Sequence, residues 1–286
     1  MPGIPTNRTT ITLPTEVSQE IMQKTQDQSA VMQLARQISL PGRGVTIPVI
    51  TGDPEAGWVD ETNPKPVSNP GLATKIMQAY KLAVIVPFSR EFRRDAAALY
   101  DAIVARLPLA LAAKFDATVF GPASGAPGSN FDTLGGATAQ SLTTDAYAGL
   151  VAADTAIAAA GGIMNGIALS PQGKGVLLAA TDTSKRPLFI NNVAEGAVPM
   201  VLGARTVLTK GAYVAGTPNT VGVAGDWTQA VYGTVEGVEI SFSDQSTLTI
   251  GGNQVNLWER NMFAVRAEIE VGFRADVACF NLLTNT

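Results

Sequence analysis

The sequence has no histidine and only one cysteine, Cys279. Histidine is the commonest general base and the commonest metal ligand, so its absence excludes Ser-His and Cys-His catalysis. One cysteine cannot form an intrachain disulfide or a cysteine zinc cluster, and we expect Cys279 to be a small buried hydrophobic residue. We therefore predict no catalytic residue, no cofactor-binding residue and no metal ligand.

Charge and long apolar runs are scarce as well. Only 15% of the 286 residues are charged, while 46% are hydrophobic, against about 25% charged residues in average soluble proteins. The surface of a chain with so few charged residues is covered either by neutral polar side chains or by other subunits. The net charge of −4 gives no cationic field for gripping DNA, so sequence-specific binding is not expected. Without an apolar run of membrane length or a secretory signal, we expect no membrane contact.

The first part of the chain, residues 1–44, reads as an N-terminal arm. Its opening stretch is rich in Pro and Thr and has no periodic apolar face. Two short helices are predicted after it. The first follows Thr15, and the second carries Val31, Leu34 and Ile38 on one face before Pro41 ends it.

Residues 45–87 read as two strands around a long loop. The runs VTIPVI and TKIMQAYKLAVIVPF frame the polar segment TGDPEAGWVDETNPKPVSNPG, which is too long for a simple connection and too polar for its own core. We expect an extended hairpin that finds its partner elsewhere. Trp58 in this loop needs a pocket, either on its own domain or, as we favour, on a neighbouring subunit.

The next two units are a long helix and a compact α/β region. Between residues 88 and 130, apolar residues recur every three or four positions, which predicts one helix to about Phe120, kinked at Pro108. Residues 131–225 contain an alanine-rich helical pattern at 145–162, then IALS, PQGKGVLLAATD, AVPMVLG and RTVLT. These runs predict a strand, a helix and two further strands.

The last unit, residues 226–286, carries the clearest β pattern. In MFAVRAEIEVGFR, apolar and charged residues alternate over more than ten positions, which predicts one long half-buried strand. Upstream, Glu236 and Gly237 separate two strand-like runs, and a hairpin is expected there.

Carboxylates and a glycine-rich loop are the remaining candidates for chemistry. Around Lys174, SPQGKG lacks the spacing of a phosphate-binding loop and fits a helix start better. Glu268 and Glu270 lie on the polar face of the predicted strand, where a solvated or interface role is expected. Asp60 and Glu61 lie in the long loop, which favours contact between subunits. Lysines such as Lys75 and Lys81 either pair with acids of a neighbour or are simply solvated.

The order of these units resembles one family. AGWVDETNPKPVSNPG and the following YKLAVIVPFSREFRRDAAALYDAIVARLPLALAAKFDATVFGPASG look like the extended loop and spine helix of tailed-phage major capsid proteins. IALSPQGKGVLLAATDTSKRPLF resembles their axial subdomain, and VAGDWTQAVYGTVEGVEISFSDQ with FAVRAEIEVGFRADVACFNLL resembles their peripheral strands. The resemblance implies an α+β, HK97-like capsid fold with an N-terminal arm, an extended β-hairpin loop (the E-loop), a long spine helix, a peripheral β subdomain and a central axial α/β subdomain.

The resemblance also implies a function and partners. Subunits of this family form hexamers and pentamers that close an icosahedral shell around double-stranded DNA, with a portal protein at one vertex. A separate scaffolding protein is expected, a decoration protein is a further partner the family allows, and assembly would take place in the host bacterial cytoplasm before the protein enters the virion. No enzyme activity is implied.

Contacts between subunits are therefore the expected functional site. We expect them at Trp58, Glu61 and Lys65 of the loop and at Arg90, Glu91 and Arg94 at the start of the long helix. Two alternatives stay open: an encapsulin-like nanocompartment shell, which would hold a cargo protein, and an α/β enzyme that uses carboxylates alone.

Overall fold

A computed structural model describes residues 15–41, 45–50, 72–91, 96–182, 184–189, 200–235 and 237–285. In this part of the chain, no helix is both long and apolar enough to cross a membrane. The helices are α1 (Thr15–Gln28), α2 (Ala30–Leu34), α3 (Ala96–Phe120), α4 (Ala146–Ala159) and α5 (Pro171–Ala179). The strands are β1 (Arg36–Ser39), β2 (Val45–Ile50), β3 (Leu72–Met77), β4 (Tyr80–Ser89), β5 (Thr138–Ser141), β6 (Gly166–Leu169), β7 (Met200–Val201), β8 (Ala204–Leu208), β9 (Asn219–Gly225), β10 (Ala230–Thr234), β11 (Glu239–Ser243), β12 (Thr247–Ile250), β13 (Asn253–Asn256), β14 (Met262–Ala275) and β15 (Phe280–Asn285).

The long strand β14 organises a five-stranded sheet with β1, β4, β10 and β11. Its apolar side chains from Phe263 to Phe273 are buried at every second position, as the alternating pattern predicts. One edge of β14 pairs antiparallel with β4 over ten residues. The other edge pairs with β10 and then β11.

The prediction of a hairpin at Glu236 and Gly237 is wrong. Both β10 and β11 run antiparallel to β14 and follow each other along its edge, so the chain keeps its direction between them. The fourteen residues of β14 are long enough to pair with both runs. Glu236 itself lies outside the described residues.

The N-terminal region also differs from its expected form after Leu34. Helix α2 is capped by Ser29, whose hydroxyl accepts a hydrogen bond from the Met32 amide. It ends at Leu34, and residues 36–39 form β1, parallel to β10. Pairing with a strand almost two hundred residues away thus overrides the helical spacing that predicted a longer second helix.

Helix α3 links the two halves of the fold. It is one helix that contains Pro108, as predicted, and the side chains of Leu107, Leu111, Phe115 and Val119 at intervals of four are buried. They belong to a core cluster that also holds residues of β14 and of the α/β region. Burying four large side chains of this kind stabilises the packing by about 1.5–3 kcal/mol each.

A six-stranded mixed sheet forms the α/β region, in the order β5-β15-β9-β6-β8-β7. Helices α4 and α5 pack on it through residues such as Leu150, Ile157 and Leu177. Strand β15 lies between β5 and β9. The last strand therefore belongs to the sheet of residues 131–225, whereas the sequence division placed it with the strands of 226–286.

The strands on either side of the long loop form a hairpin, as expected. Strands β2 and β3 pair antiparallel, from Val45 opposite Met77 to Ile50 opposite Leu72. The single strand expected between Thr74 and Pro87 is instead two strands, β3 and β4, separated at Gln78 and Ala79. Residues 51–71 lie outside the described part of the chain.

Candidate intersubunit surface

Two of the six predicted contact residues, Arg90 and Glu91, lie in the described part of the chain. Trp58, Glu61, Lys65 and Arg94 lie outside it. Both described residues follow the end of β4 and are exposed. The backbone amide of Glu91 donates a hydrogen bond to the Ser89 hydroxyl (3.4 Å), which starts the turn that leads toward α3.

Arg90 lies at a corner that joins three segments. Its backbone amide donates to the Asn261 carbonyl (2.8 Å), so the corner continues the pairing of β4 with β14. The guanidinium forms an ion pair with Asp244 (3.3 Å) and lies 5.9 Å from the ring centre of Trp258. Ion pairs and cation–π contacts at such exposed places contribute little stability. Their effect is to fix the directions of the side chains.

Trp258 is a surface residue that the sequence reasoning missed. It lies between the β12–β13 hairpin and β14, and 63% of it is exposed. An exposed tryptophan on a polar loop is typical of a binding anchor. The signal was present in QVNLWERN, where a single large aromatic residue stands in a polar run. The same argument had selected Trp58.

Lys75 and Lys81 have partners within the subunit. The ammonium group of Lys81 lies 3.3 Å from the Glu270 carboxylate, on the strand pair β4–β14. That of Lys75 lies 3.5 Å from Asp132 and donates to the Ala275 carbonyl (3.0 Å). Both lysines are therefore paired within the subunit, although the exposed pair of Lys81 with Glu270 adds little stability.

Lys75, Asp132 and Arg274 form a cluster that we call the hairpin clamp. Arg274 forms a 2.7 Å ion pair with Asp132 and donates two hydrogen bonds, of 2.9 and 2.6 Å, to the Ile76 carbonyl. The Ala275 amide donates to the same carboxylate (3.2 Å). The clamp joins β3 to the end of β14, so the base of the β2–β3 hairpin has a fixed position on the five-stranded sheet.

Asp116 connects the N-terminal helices to α3 and to the α/β region. Its carboxylate is fully buried and accepts hydrogen bonds from the Ser29 hydroxyl (2.6 Å), the Ala30 and Val31 amides (2.9 and 3.3 Å) and the Thr209 hydroxyl (2.8 Å). Burial raises the pKa of Asp116, and these hydrogen bonds offset part of the rise. Three segments far apart in sequence thus meet at one acceptor.

Asp226 holds the loop before β10 in the same manner. It accepts hydrogen bonds from the Ile163 amide, the Asn165 side chain, and the amide and hydroxyl of Thr228. Burial alone would raise its pKa, but these bonds together lower it. The adjacent Trp227 is buried and donates its indole N–H to the Gly166 carbonyl (3.0 Å). This arrangement is structural.

Nucleophile and metal chemistry find no support in the described residues. Cys279 is buried, as predicted, and burial together with Asp276 and Asp226 raises the pKa of its thiol, so it is a poor nucleophile. Among these residues no group of three potential ligands could hold a metal ion. Glu268 pairs with Arg266 (3.2 Å) on the polar face of β14.

Comparison with known proteins decides the family. A model described as the phage capsid family matches residues 9–277, which is nearly the whole chain. The chain belongs to the phage capsid family. Consistent with this, it is 30% identical to "Probable major capsid protein gp17" of Mycobacterium phage D29, over 94% of this chain and 89% of that protein.

Solved phage capsid structures have the same fold as most of this chain. A chain from Gordonia phage Cozz has a TM-score of 0.70 at 23% identity, and the match covers 91% of this chain and 87% of that one. A chain described as "Capsid of empty GTA particle computed with C5 symmetry" has a TM-score of 0.62 at 15% identity, with 90% of each chain covered.

Membership of the phage capsid family establishes the general function of the protein. The protein is a major capsid protein of tailed phages, a structural component of the capsid shell and part of the virion, and not an enzyme. Of the expectations from sequence, the family, the function and the mixed helix and sheet of a capsid fold are confirmed. The nanocompartment and carboxylate-enzyme alternatives are not favoured.

Proposed function

We propose that this capsid protein forms hexamers and pentamers that close an icosahedral head around double-stranded DNA. The loop of residues 51–71 would lie across the neighbouring subunit and contribute Trp58, Glu61 and Lys65 to the contact. Arg90, Glu91 and Arg94 would contribute from the segment between β4 and the spine helix α3. The subunit divides in this proposal into arm, E-loop, spine, axial and peripheral parts, with β15 assigned to the axial sheet.

The observation that carries the proposal is the fixed base of the β2–β3 hairpin. Both ends of the long loop are held together by strand pairing, and the hairpin clamp joins β3 to β14 through Arg274 and Asp132. A polar loop of this length cannot bury itself. Because the base is already held at a defined position, its placement adds no further entropy cost when the loop binds a second subunit.

Charge and the structural neighbours support the closed shell and its contents. The GTA capsid neighbour comes from a particle computed with C5 symmetry, which supports a fivefold arrangement of this fold. A net charge of −4 suits a wall that encloses DNA without gripping its backbone, since attachment would require a cationic surface. Shell growth then depends on repeated heterologous contacts between copies of the chain.

Other partners follow from the family resemblance. A scaffolding protein and a portal protein would direct assembly in the host bacterial cytoplasm, and a decoration protein would bind the finished surface. Mass spectrometry of purified particles and of their precursors tests each partner separately.

Deletion of residues 54–70 tests the role of the loop. We expect folded subunits that remain small, because the fold of the described residues keeps its core while the intersubunit contact is lost. Sucrose-gradient sedimentation and negative-stain microscopy measure assembly, and circular dichroism confirms that the subunit is folded. The unmodified chain, expressed identically, is the control. Intact particles built from folded, deleted subunits would contradict the proposal.

A further inference from the structure

The corner around Trp258 presents an aromatic side chain that the subunit does not cover. Trp258 is 63% exposed, and the Arg90 guanidinium lies 5.9 Å from its ring centre. The neighbouring Glu259 is exposed and accepts a hydrogen bond from the Asn256 side chain (3.4 Å). Among the described residues no cation lies within ion-pair distance of Glu259. We call Trp258 and Glu259 the knob.

At the other end of β4 lies an apolar cavity, which we call the slot. Tyr80, Leu82, Phe115, Phe131 and Val271 supply large apolar side chains to its lining, which also includes the polar residues Lys81, Lys114 and Thr118. Its volume is about 180 Å³. An apolar cavity of about 150 Å³ is enough to bind benzene, so the slot has room for an aromatic ring.

The knob cannot enter the slot of its own subunit. Arg90, which contacts Trp258, follows the end of β4, while Leu82 in the slot lies near the beginning of the same strand. Since a strand rises about 3.3 Å per residue, the two features lie roughly 25 Å apart. That distance is far beyond the reach of one side chain. A Trp258 side chain that occupies the slot must therefore come from another copy.

The charges of the knob and the slot are complementary. In the described part of the chain, Lys114 has no carboxylate within ion-pair distance. The second lysine of the lining, Lys81, is already paired with Glu270 of its own subunit. The knob has an aromatic ring followed directly by a carboxylate. A ring in the cavity with Glu259 near Lys114 would satisfy both groups, and a charge pair at the edge of an apolar anchor favours one orientation of binding.

We propose that Trp258 of one subunit inserts into the slot of a neighbouring copy, with Glu259 paired to that copy's Lys114. The contact joins two different surfaces, so it is heterologous and repeats from subunit to subunit. It rests on the proposed shell function and adds to it a contact made by the peripheral sheet, independent of the long loop.

A disulfide trap tests the contact. In the double variant Lys114→Cys with Glu259→Cys, oxidised particles should give covalent dimers and higher oligomers on a non-reducing gel. Reduction should return them to single chains. The matched control replaces Lys210, an exposed lysine of the α/β region, so that Lys210→Cys with Glu259→Cys should give none. Cys279 is buried and should remain unreacted.

Particles of normal form without covalent oligomers would overturn the contact and leave the shell function standing. If the unmodified chain forms no particles even when it is produced together with its scaffolding protein, the shell proposal itself has failed. Should the double variant not assemble, a photo-crosslinking benzoylphenylalanine at position 258, co-expressed with an excess of unmodified chain, gives the deciding result. Crosslinks to peptides containing Tyr80 or Phe115 support the contact, and crosslinks only to other peptides, or none, refute it.

Discussion

Replacing Asp116 with alanine removes one acceptor that four donors share. The amides of Ala30 and Val31 are the critical donors, because both residues are fully buried and backbone groups cannot rotate to find another partner. Each buried amide left without an acceptor costs about 1–3 kcal/mol. The hydroxyls of Ser29 and Thr209 can reorient and add less. We expect Asp116→Ala to lower the free energy of unfolding by about 3 kcal/mol.

Urea denaturation of unassembled subunits, followed by circular dichroism, measures this effect. A loss of that size should also lower the midpoint of thermal unfolding by roughly 6–12 °C. Asp154→Ala is the matched control, since Asp154 is an exposed carboxylate on α4, and its loss should change the free energy of unfolding by less than about 0.5 kcal/mol. Equal effects of the two substitutions would refute the role of Asp116.

The difference in free energy of unfolding between the unmodified chain and Asp116→Ala should depend on pH, with a sign that the pKa of Asp116 determines. The folded-state pKa of Asp116 is raised above its ordinary value of 3.8 by burial, so the folded subunit binds more protons than the unfolded chain just above that pH. The stability contributed by this group is therefore fully present below 3.8 and is lost as the pH rises through the raised pKa. The cost of Asp116→Ala should fall over that window. A cost that grows with pH would contradict the assignment.

Two further substitutions, each with a control, test the hairpin base and the side-chain packing between β9 and β15 of the six-stranded sheet. Arg274→Ala should speed amide hydrogen exchange in residues 72–77 because it removes the bonds to Ile76 and Asp132. The control Arg266→Ala should leave exchange in these residues unchanged. Equal exchange rates in the two variants would argue against the clamp. Gly225→Ala places a methyl group in a steric clash with the Phe280 ring and should cost about 1–3 kcal/mol. The control is Gly175→Ala inside α5, where the added methyl group meets open space. It should stabilise the subunit by up to about 1 kcal/mol. A similar change in the urea midpoint for both glycine variants would contradict the packing argument.

Sequence periodicity correctly predicted the strands and helices that have one side in the core and the other side facing polar surroundings. The alternation from Phe263 to Phe273 is visible because β14 has one buried and one polar face, and the spacing of four in α3 is visible because one side of that helix packs into the core. Both patterns depend only on neighbouring residues. They predict which way a side chain points, and they leave open which element it meets.

The predictions that failed concern partners far apart in the chain. Residues 36–39 became a strand because β10 offers them a free edge, and β11 continued along β14 because that strand is long enough. Strand β15 looked like its neighbours in sequence, yet it pairs with β5 and β9. The exposed corner at Trp258 was missed because exposure of a single aromatic residue depends on what the rest of the fold fails to cover.

The position of β15 has a consequence for synthesis of the protein. Strands β5 and β9 leave the ribosome before the residues that fill the gap between them, so the axial sheet cannot close while those residues remain in the exit tunnel. Pairings over such long sequence separations fold slowly. Until β15 has emerged, a nascent subunit lacks the strand that joins β5 to β9, and the surface that this sheet presents is incomplete.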